Sequence, residues 1–171
     1  EFSIQSNSQK RECFNKIKSI IKKLNNNEQK KLLTEITKTN LRKQFTNEFL
    51  NEQDLKLLNS NPLITIGAHT HNHLSLKNLS KEECTQEIKK SKEILENLLN
   101  SKISHFSYPY GTKNDASERE FKLAEELGFK SAVTTSVGII SKKNLFNLPR
   151  IHINEKVNEK ILKFKLSIYY I

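Results

Sequence analysis

Methionine and tryptophan do not occur in this 171-residue sequence, and cysteine, aspartate and proline are scarce, at two, two and three residues. A chain with no methionine has no initiator residue, so it is expected to be a processed product or an excised piece of a longer protein, with a segment upstream. Cys13 and Cys84 are too few to suggest a disulfide framework, and each falls on the apolar side of a helical pattern, so both are expected as buried thiols. No apolar run approaches the roughly 20 residues that cross a bilayer, and no signal peptide is visible. With the true start missing, cell envelope and cytoplasm both stay open as compartments.

What is present is a basic chain with enough apolar residues for one core. Lys and Arg number 29 against 19 Asp and Glu, a formal charge of +10, and 35% of residues are hydrophobic. This suits a single globular domain better than two. The charge makes nucleic acid, an anionic polysaccharide or a membrane surface an electrostatically reasonable partner. The lysines, however, are spread through nearly every segment among Asn and Ile, the pattern of a solvated basic surface rather than a binding stripe.

Periodicity predicts helices over residues 9–24 and 28–37, separated by a turn at "NNNE", and a third short helix after Asn51 that Pro62 ends. The apolar run "LITIG" then reads as a buried strand leading into "AHTHNH". Ser80 and Glu83 form a capping box that opens a long helix, with Cys84, Ile88, Ile94, Leu95 and Leu98 expected on its buried face. A second strand is expected around Ile103, Phe106 and Tyr108, stopped by Pro109 and Gly111. Ser117 and Glu120 repeat the capping box, and Gly128 stands where a helix ends, before the strand "KSAVTT". "NLFNLPRIHI" is a further strand candidate, and residues 157–166 a closing helix, with a strand as the alternative. Strands alternating with helices predict an α/β sheet or barrel with parallel strands, whose chemistry gathers beyond the C-terminal strand ends. The histidines and "YPYG" both fall at that edge.

His69, His71 and His73 occupy every second position after the first of these strands. On an extended strand the three rings would point one way yet lie too far apart to meet on one ion. If the chain turns after Gly67, positions i and i+4 converge instead, which selects His69 and His73 as neutral nitrogen donors for a borderline-soft cation such as zinc. A solvated turn whose histidines do little is equally compatible with the spacing.

"IGAHTHNH" resembles the His-Thr/Ser-x-x-His element of the polysaccharide deacetylases, the NodB-homology family of carbohydrate esterases. Further segments match in order: "FSYPYGTKND" is similar to the family's Pro-Tyr/Phe-Gly loop, "LGFKSAVTTSVGII" to a Gly-Phe-x-x-Ala-Val-Thr-Thr strand, and "LPRI" to a Leu-Pro-Arg turn. The likeness covers residues 49–166. It implies a distorted (β/α) barrel, incomplete here, formed from 49–171, with 1–48 as a helical segment inserted in the barrel or packed on it. It also implies a divalent metal, zinc foremost, held by His69 and His73, with Thr70 shaping the loop and His71 a bystander. Tyr110 would offer its backbone amide to an oxyanion, and Pro109 and Gly111 would lie against the substrate.

The family's upstream Asp-Asp element, whose first Asp is the base and whose second is the third metal ligand, has no counterpart. Asp54 and Asp115 are the only aspartates, and neither has an acidic neighbour. The arginine that precedes the Pro-Tyr loop in the family falls at Ser107 here, and Arg150 is the expected substitute for tuning the base. The family's late histidine acid is matched loosely by His152, which reads equally as a surface histidine, and His105 is assigned to structure. The resemblance therefore implies hydrolysis of N-acetyl groups from an amino-sugar polysaccharide or oligosaccharide by the complete protein. A catalytically inactive carbohydrate-binding relic is the alternative. A basic nucleic-acid-binding module built from residues 9–43 is a distant one, since that stretch lacks Trp and shows no aromatic-basic interleaving.

Overall fold

The computed structural model describes residues 4–37, 49–140 and 144–169. The chain divides into two compact units, Glu1–Gln53 and Asp54–Ile171.

The first unit holds α1 (Asn7–Ile21) and α2 (Asn26–Thr37). Each begins where a side chain satisfies the free N–H groups of the first turn. Ser6 Oγ accepts from Gln9 N while Gln9 Oε1 accepts from Ser6 N, and Asn25 Oδ1 accepts from Asn27 N and Glu28 N. Gln29 Nε2 bridges the turn to the carbonyls of Ile21 and Leu24. Neither helix buries a residue. The apolar spacing of α1 formed the expected helix, and Cys13 is half-buried rather than buried. Part of the basic stretch 9–43 and of the helical segment 1–48 lies outside the described residues.

In the second unit, α3 (Glu52–Ser60) straddles the boundary, and α4 (Lys81–Leu99), β1 (His105–Ser107), α5 (Glu118–Glu126), β2 (Ser131–Val133) and α6 (Glu159–Tyr169) follow. Strands β1 and β2 pair in parallel, with Phe106 opposite Ala132. Single parallel bridges extend the sheet on both sides, from Ala68 to Phe106 and from Val133 to Leu148. The strand places therefore follow chain order, with α4 and α5 as the crossovers that parallel pairing demands. The fold is α/β with a small parallel sheet.

The expected strand at 63–67 is not formed: Leu63 is 93% exposed, and the pairing starts only at Ala68, the first buried residue of the segment. The strand expected in "NLFNLPRIHI" is likewise a single bridge at Leu148. Apolar composition marked both segments correctly as sheet-directed but could not tell a full ladder from one pair. The closing segment is a helix, not the alternative strand.

On α4 the buried stripe is Cys84, Ile88, Ser91 and Leu99, with Leu95 and Leu98 packed against it. Ile94 is exposed, because the i, i+3, i+4 progression from Ile88 passes through Ser91 and leaves position 94 to the side. Beneath the sheet, Phe106 meets Tyr108 and Phe129 at ring-centroid separations of 5.1 and 5.3 Å, and Tyr108 donates its hydroxyl to Phe146 O. Both expected capping boxes are present, at Ser80–Glu83 and Ser117–Glu120, and Gly128 ends α5 with φ +76°. No helix among the described residues is long and apolar enough to cross a membrane.

Burial, reinforced by the nearby Glu120 carboxylate, pushes the Cys84 thiol up to about 12. The thiolate is the nucleophile, so in the folded chain Cys13 should react with a disulfide reagent at pH 8 at least tenfold faster than Cys84. Equal rates for the two thiols would contradict this packing.

Candidate active site

The site is built outward from Ala68. Its N–H donates to His105 O and its carbonyl accepts from Ser107 N, both at 2.9 Å, which fixes where the chain leaves the sheet. Two residues then adopt left-handed backbone, Thr70 at φ +64° and His73 at φ +56°. For a β-branched residue such as Thr70 this conformation is costly, of order 1–3 kcal/mol, and strain of this kind gathers at functional sites. It folds the turn so that His69 and His73 meet with ring centroids 4.8 Å apart. The i, i+4 convergence expected from the spacing is present. His71 joins neither ring and only donates its backbone N–H to Glu87 O.

Each ring has its own support. His69 Nδ1 lies 2.6 Å from Ser107 O, a carbonyl that can only accept, so Nδ1 is the donor and, in the neutral tautomer, Nε2 is the nitrogen with the lone pair. His73 packs edge-on against Tyr110 at 4.9 Å. Partial removal from water, with a smaller contribution from His69, holds the His73 imidazole below its ordinary range. Both effects favour the neutral ring, the form that ligates a metal.

Two carboxylates that the motif reading passed over hold the turn. Glu87 on α4 accepts from Asn72 N at 2.8 Å and from Asn72 Nδ2 at 2.6 Å, at the tip between the two histidines. Asp115, fully buried, accepts from Ser75 Oγ at 2.8 Å. A carboxylate one turn beyond Cys84, at the edge of a buried stripe, was the signal available for Glu87.

The second loop faces the first. After Tyr108, Pro109 leads into Tyr110 at φ +60° and Gly111 at φ +64°, and Gly111 N closes a tight turn onto Pro109 O. Thr135, just past β2, fastens this loop with its N–H on Gly111 O and its hydroxyl on Tyr110 O, both at 2.9 Å. A cavity of about 420 Å³ begins at Gly111 and runs to Phe121, Asn147 and Pro149; it touches the site only at that glycine, while the histidines lie exposed.

The other candidates are engaged in contacts of their own. Arg150 spends Nε on Thr134 O at 2.6 Å. The backbone carbonyl of His152 accepts from Lys165 Nζ. His105 Nδ1 pairs with Ser131 Oγ at the opposite end of the strands, a structural contact. Thr70 Oγ1 is buried without a hydrogen-bond partner among the described residues, and the left-handed backbone of Thr70 lies within the turn. No third His, Cys, Asp or Glu completes a metal cluster among the described residues.

Comparison with known proteins points one way. The family model described as polysaccharide deacetylase matches residues 15–132, beginning within α1. YxkH of Bacillus subtilis (strain 168), a polysaccharide deacetylase by name, is 32% identical over 92 residues, which are 53% of this chain and 32% of YxkH. The Streptococcus pyogenes deacetylase PplD, solved in complex with acetate, superposes with a TM-score of 0.62 at 30% identity, over 68% of this chain and 50% of PplD. BC0361, a polysaccharide deacetylase from Bacillus cereus, superposes with a TM-score of 0.60 over 68% of this chain and 36% of its own. At 20% identity that last likeness is one of fold. The chain thus spans half or less of the length of these relatives.

Proposed function

Because the chain belongs to the polysaccharide deacetylase family, we propose that it carries the histidine and oxyanion half of a site that removes N-acetyl groups from an amino-sugar polysaccharide. The carrying observation is the His69–His73 pair, two rings 4.8 Å apart, with Nδ1 of His69 committed to Ser107 O. We further propose that the sheet is part of the family's distorted (β/α) barrel, which the parallel order of its strand places supports.

The residues fit a divalent cation in part. Two neutral imidazoles with oriented nitrogens suit zinc, and the orphaned Thr70 hydroxyl marks a polar spot still lacking a partner in the same turn. A catalytic zinc site takes three protein ligands, and neither aspartate supplies the third: Asp115 is buried and engaged with Ser75, and Asp54 lies on α3. In this proposal the third ligand and the base would be the Asp pair that the family resemblance implies. When bound by His69 and His73, the cation would supply Lewis-acid polarisation of the amide and acidification of water.

The chain's own groups would do the rest. The Tyr110 N–H, set in a left-handed turn beside His73, would donate to the oxyanion, and Pro109 and Gly111 would let the sugar approach closely. In this proposal His152 would protonate the departing amine and Arg150 would tune the base, both carried by the segment that follows the Leu148 bridge. Acetate and a free amino sugar would leave. The surface charge of +10 would favour an anionic glycan. The scarcity of aspartate keeps a second reading in view, a carbohydrate-binding relic of the same fold.

Calorimetric zinc titration tests the half-site. One-to-one binding is expected, weakened on the order of 100-fold in His69→Ala and in His73→Ala and within about twofold of the parent in His71→Ala. Since the His73 imidazole is held below its ordinary value of 6.5, proton competition at that ring should set in only as pH drops below that value, and the zinc affinity should fall there. Equal losses in all three variants would sink the assignment. Acetate release from N-acetylglucosamine oligomers by a version carrying an Asp-Asp segment separates enzyme from relic, which would bind the oligomer and release none.

A further inference from the structure

We infer that Asp115 is a positioning residue that couples the histidine turn to the Tyr110–Gly111 loop, so that the two halves of the site keep one fixed separation. Toward the histidines, its Oδ1 accepts from Ser75 Oγ, two residues beyond His73, and its backbone carbonyl accepts from Lys77 N at 3.0 Å. Toward the other loop, its Oδ2 accepts from Thr112 N at 3.3 Å and from the Thr112 hydroxyl, directly after Gly111, while its own N–H donates to Thr112 O at 2.8 Å. One side chain with no exposed surface therefore grips both segments, which are 40 residues apart along the chain at Ser75 and Asp115.

The geometry gives this bridge a specific task. His73 and Tyr110 touch only by the edge of their rings, at 4.9 Å, and a contact of that kind sets no distance by itself. Each loop also has a separate anchor: the histidine tip hangs on Glu87, and the Tyr110–Gly111 turn hangs on Thr135. Glu87 does not reach the second loop, and Thr135 does not reach the first. Asp115 alone among these contacts joins Ser75 to Thr112. Among the described residues both of its oxygens accept, so a carboxamide of the same shape fits less well: in Asp115→Asn, an NH2 on the Thr112 side faces an N–H that can only donate, and one on the Ser75 side keeps its bond only by turning the serine hydroxyl into an acceptor. The catalytic part of this inference rests on the proposed deacetylase reading, but the coupling itself does not.

The test uses the full chain and two readouts, neither of which is activity. Imidazole and tyrosine ring resonances report the His73–Tyr110 contact through cross-relaxation in the metal-free protein, and zinc alone reports the His69–His73 pair by calorimetry. In Ser75→Ala, which keeps Asp115 and its hold on Thr112, the His73–Tyr110 cross-peaks should weaken and the zinc Kd should rise about tenfold, although Ser75 touches neither ring. Thr112→Val should weaken the same cross-peaks from the opposite side, and combining the two should add little, since either one opens the same bridge. Glu87→Gln should disturb the histidine resonances while leaving those of Tyr110 in place. Asp115→Ala, which removes both links at once, should reproduce Ser75→Ala and Thr112→Val together. A lowered melting temperature in Ser75→Ala and Thr112→Val with unchanged cross-peaks and zinc affinity would overturn the inference and leave Asp115 a core residue only. If the parent binds no zinc but the cross-peaks respond as described, the coupling stands and the metal reading falls.

Discussion

Gly111→Ala should destabilise the chain by roughly 2–4 kcal/mol, a large fraction of the stability of an ordinary domain. Two costs add. At φ +64° an L side chain is strained by about 1–2 kcal/mol, and a Cβ built there would stand 2.8 Å from Thr135 N and 3.1 Å from Thr135 Cγ2. The first of these neighbours is backbone, so it can yield only by shifting the strand end that holds the loop. That same Thr135 N–H donates to Gly111 O, and its hydroxyl donates to Tyr110 O, so relief of the clash would move Tyr110 away from His73. Gly128 provides the control. Its φ of +76° is of the same kind, but its nearest neighbour is the flexible Lys92 Nζ at 3.5 Å, so Gly128→Ala should show only the torsional cost. Asn tolerates left-handed backbone. Gly128→Asn should therefore recover most of the loss, while Gly111→Asn should stay destabilised by its Cβ. Urea unfolding of the four variants measures this directly, and equal behaviour at the two glycines would show that close approach at Gly111 is not what matters.

Phe106→Ala should cost about 3–5 kcal/mol, the range for emptying a fully packed aromatic position. Phe106 is 2% exposed, pairs with Ala132 and Ala68 on its two sides, and holds Tyr108 and Phe129 by ring contacts. It is the hub of the sheet in both directions. The next residue, Ser107, supplies the carbonyl that orients His69, so loosening β1 would also deprive the His69 ring of the acceptor that orients it. If Phe106→Ala unfolds the chain outright, Phe106→Leu, which keeps most of the volume, should retain the fold with a loss of about 1–2 kcal/mol. A loss below about 1 kcal/mol for the alanine variant, from the midpoint and slope of urea unfolding, would contradict the described packing.

Some of this architecture was legible from local chemistry. Capping boxes at Ser80–Glu83 and Ser117–Glu120 and the glycine at 128 depend on residues three or four apart, and the structure contains all of them. The meeting of His69 with His73 was expected on the condition that the chain turned after Gly67, and the left-handed Thr70 and His73 supply that turn. Expectations drawn from composition fared less well. "LITIG" is apolar enough for a strand, yet Leu63 is exposed and only Ala68 pairs, because hydrogen-bonding partners decide a ladder and composition does not. Ile94 on α4 was expected inside for the same reason, and the helix phase set by Cys84 and Ile88 put Ser91 there in its place.

Sequence alone determined the capped helices, the alternation that makes an α/β fold and the family to which the motifs belong, and it named the histidines that a turn would bring together. Each of these is written in spacings of a few residues, where backbone geometry leaves few choices. Only the tertiary structure decided how the pair is held. Ser107 O meets His69 across 38 residues, Ser75 meets Asp115 across 40, and Glu87 reaches Asn72 across 15. Such bonds leave no local signature, since a serine carbonyl or a lone Asp in "GTKND" carries no signal until the crossovers through α4 and α5 bring the strand ends side by side. Asp115 read from the sequence as an aspartate out of context, and folding gave it its context: a buried carboxylate must collect donors, and the donors within reach belonged to the two loops of the site.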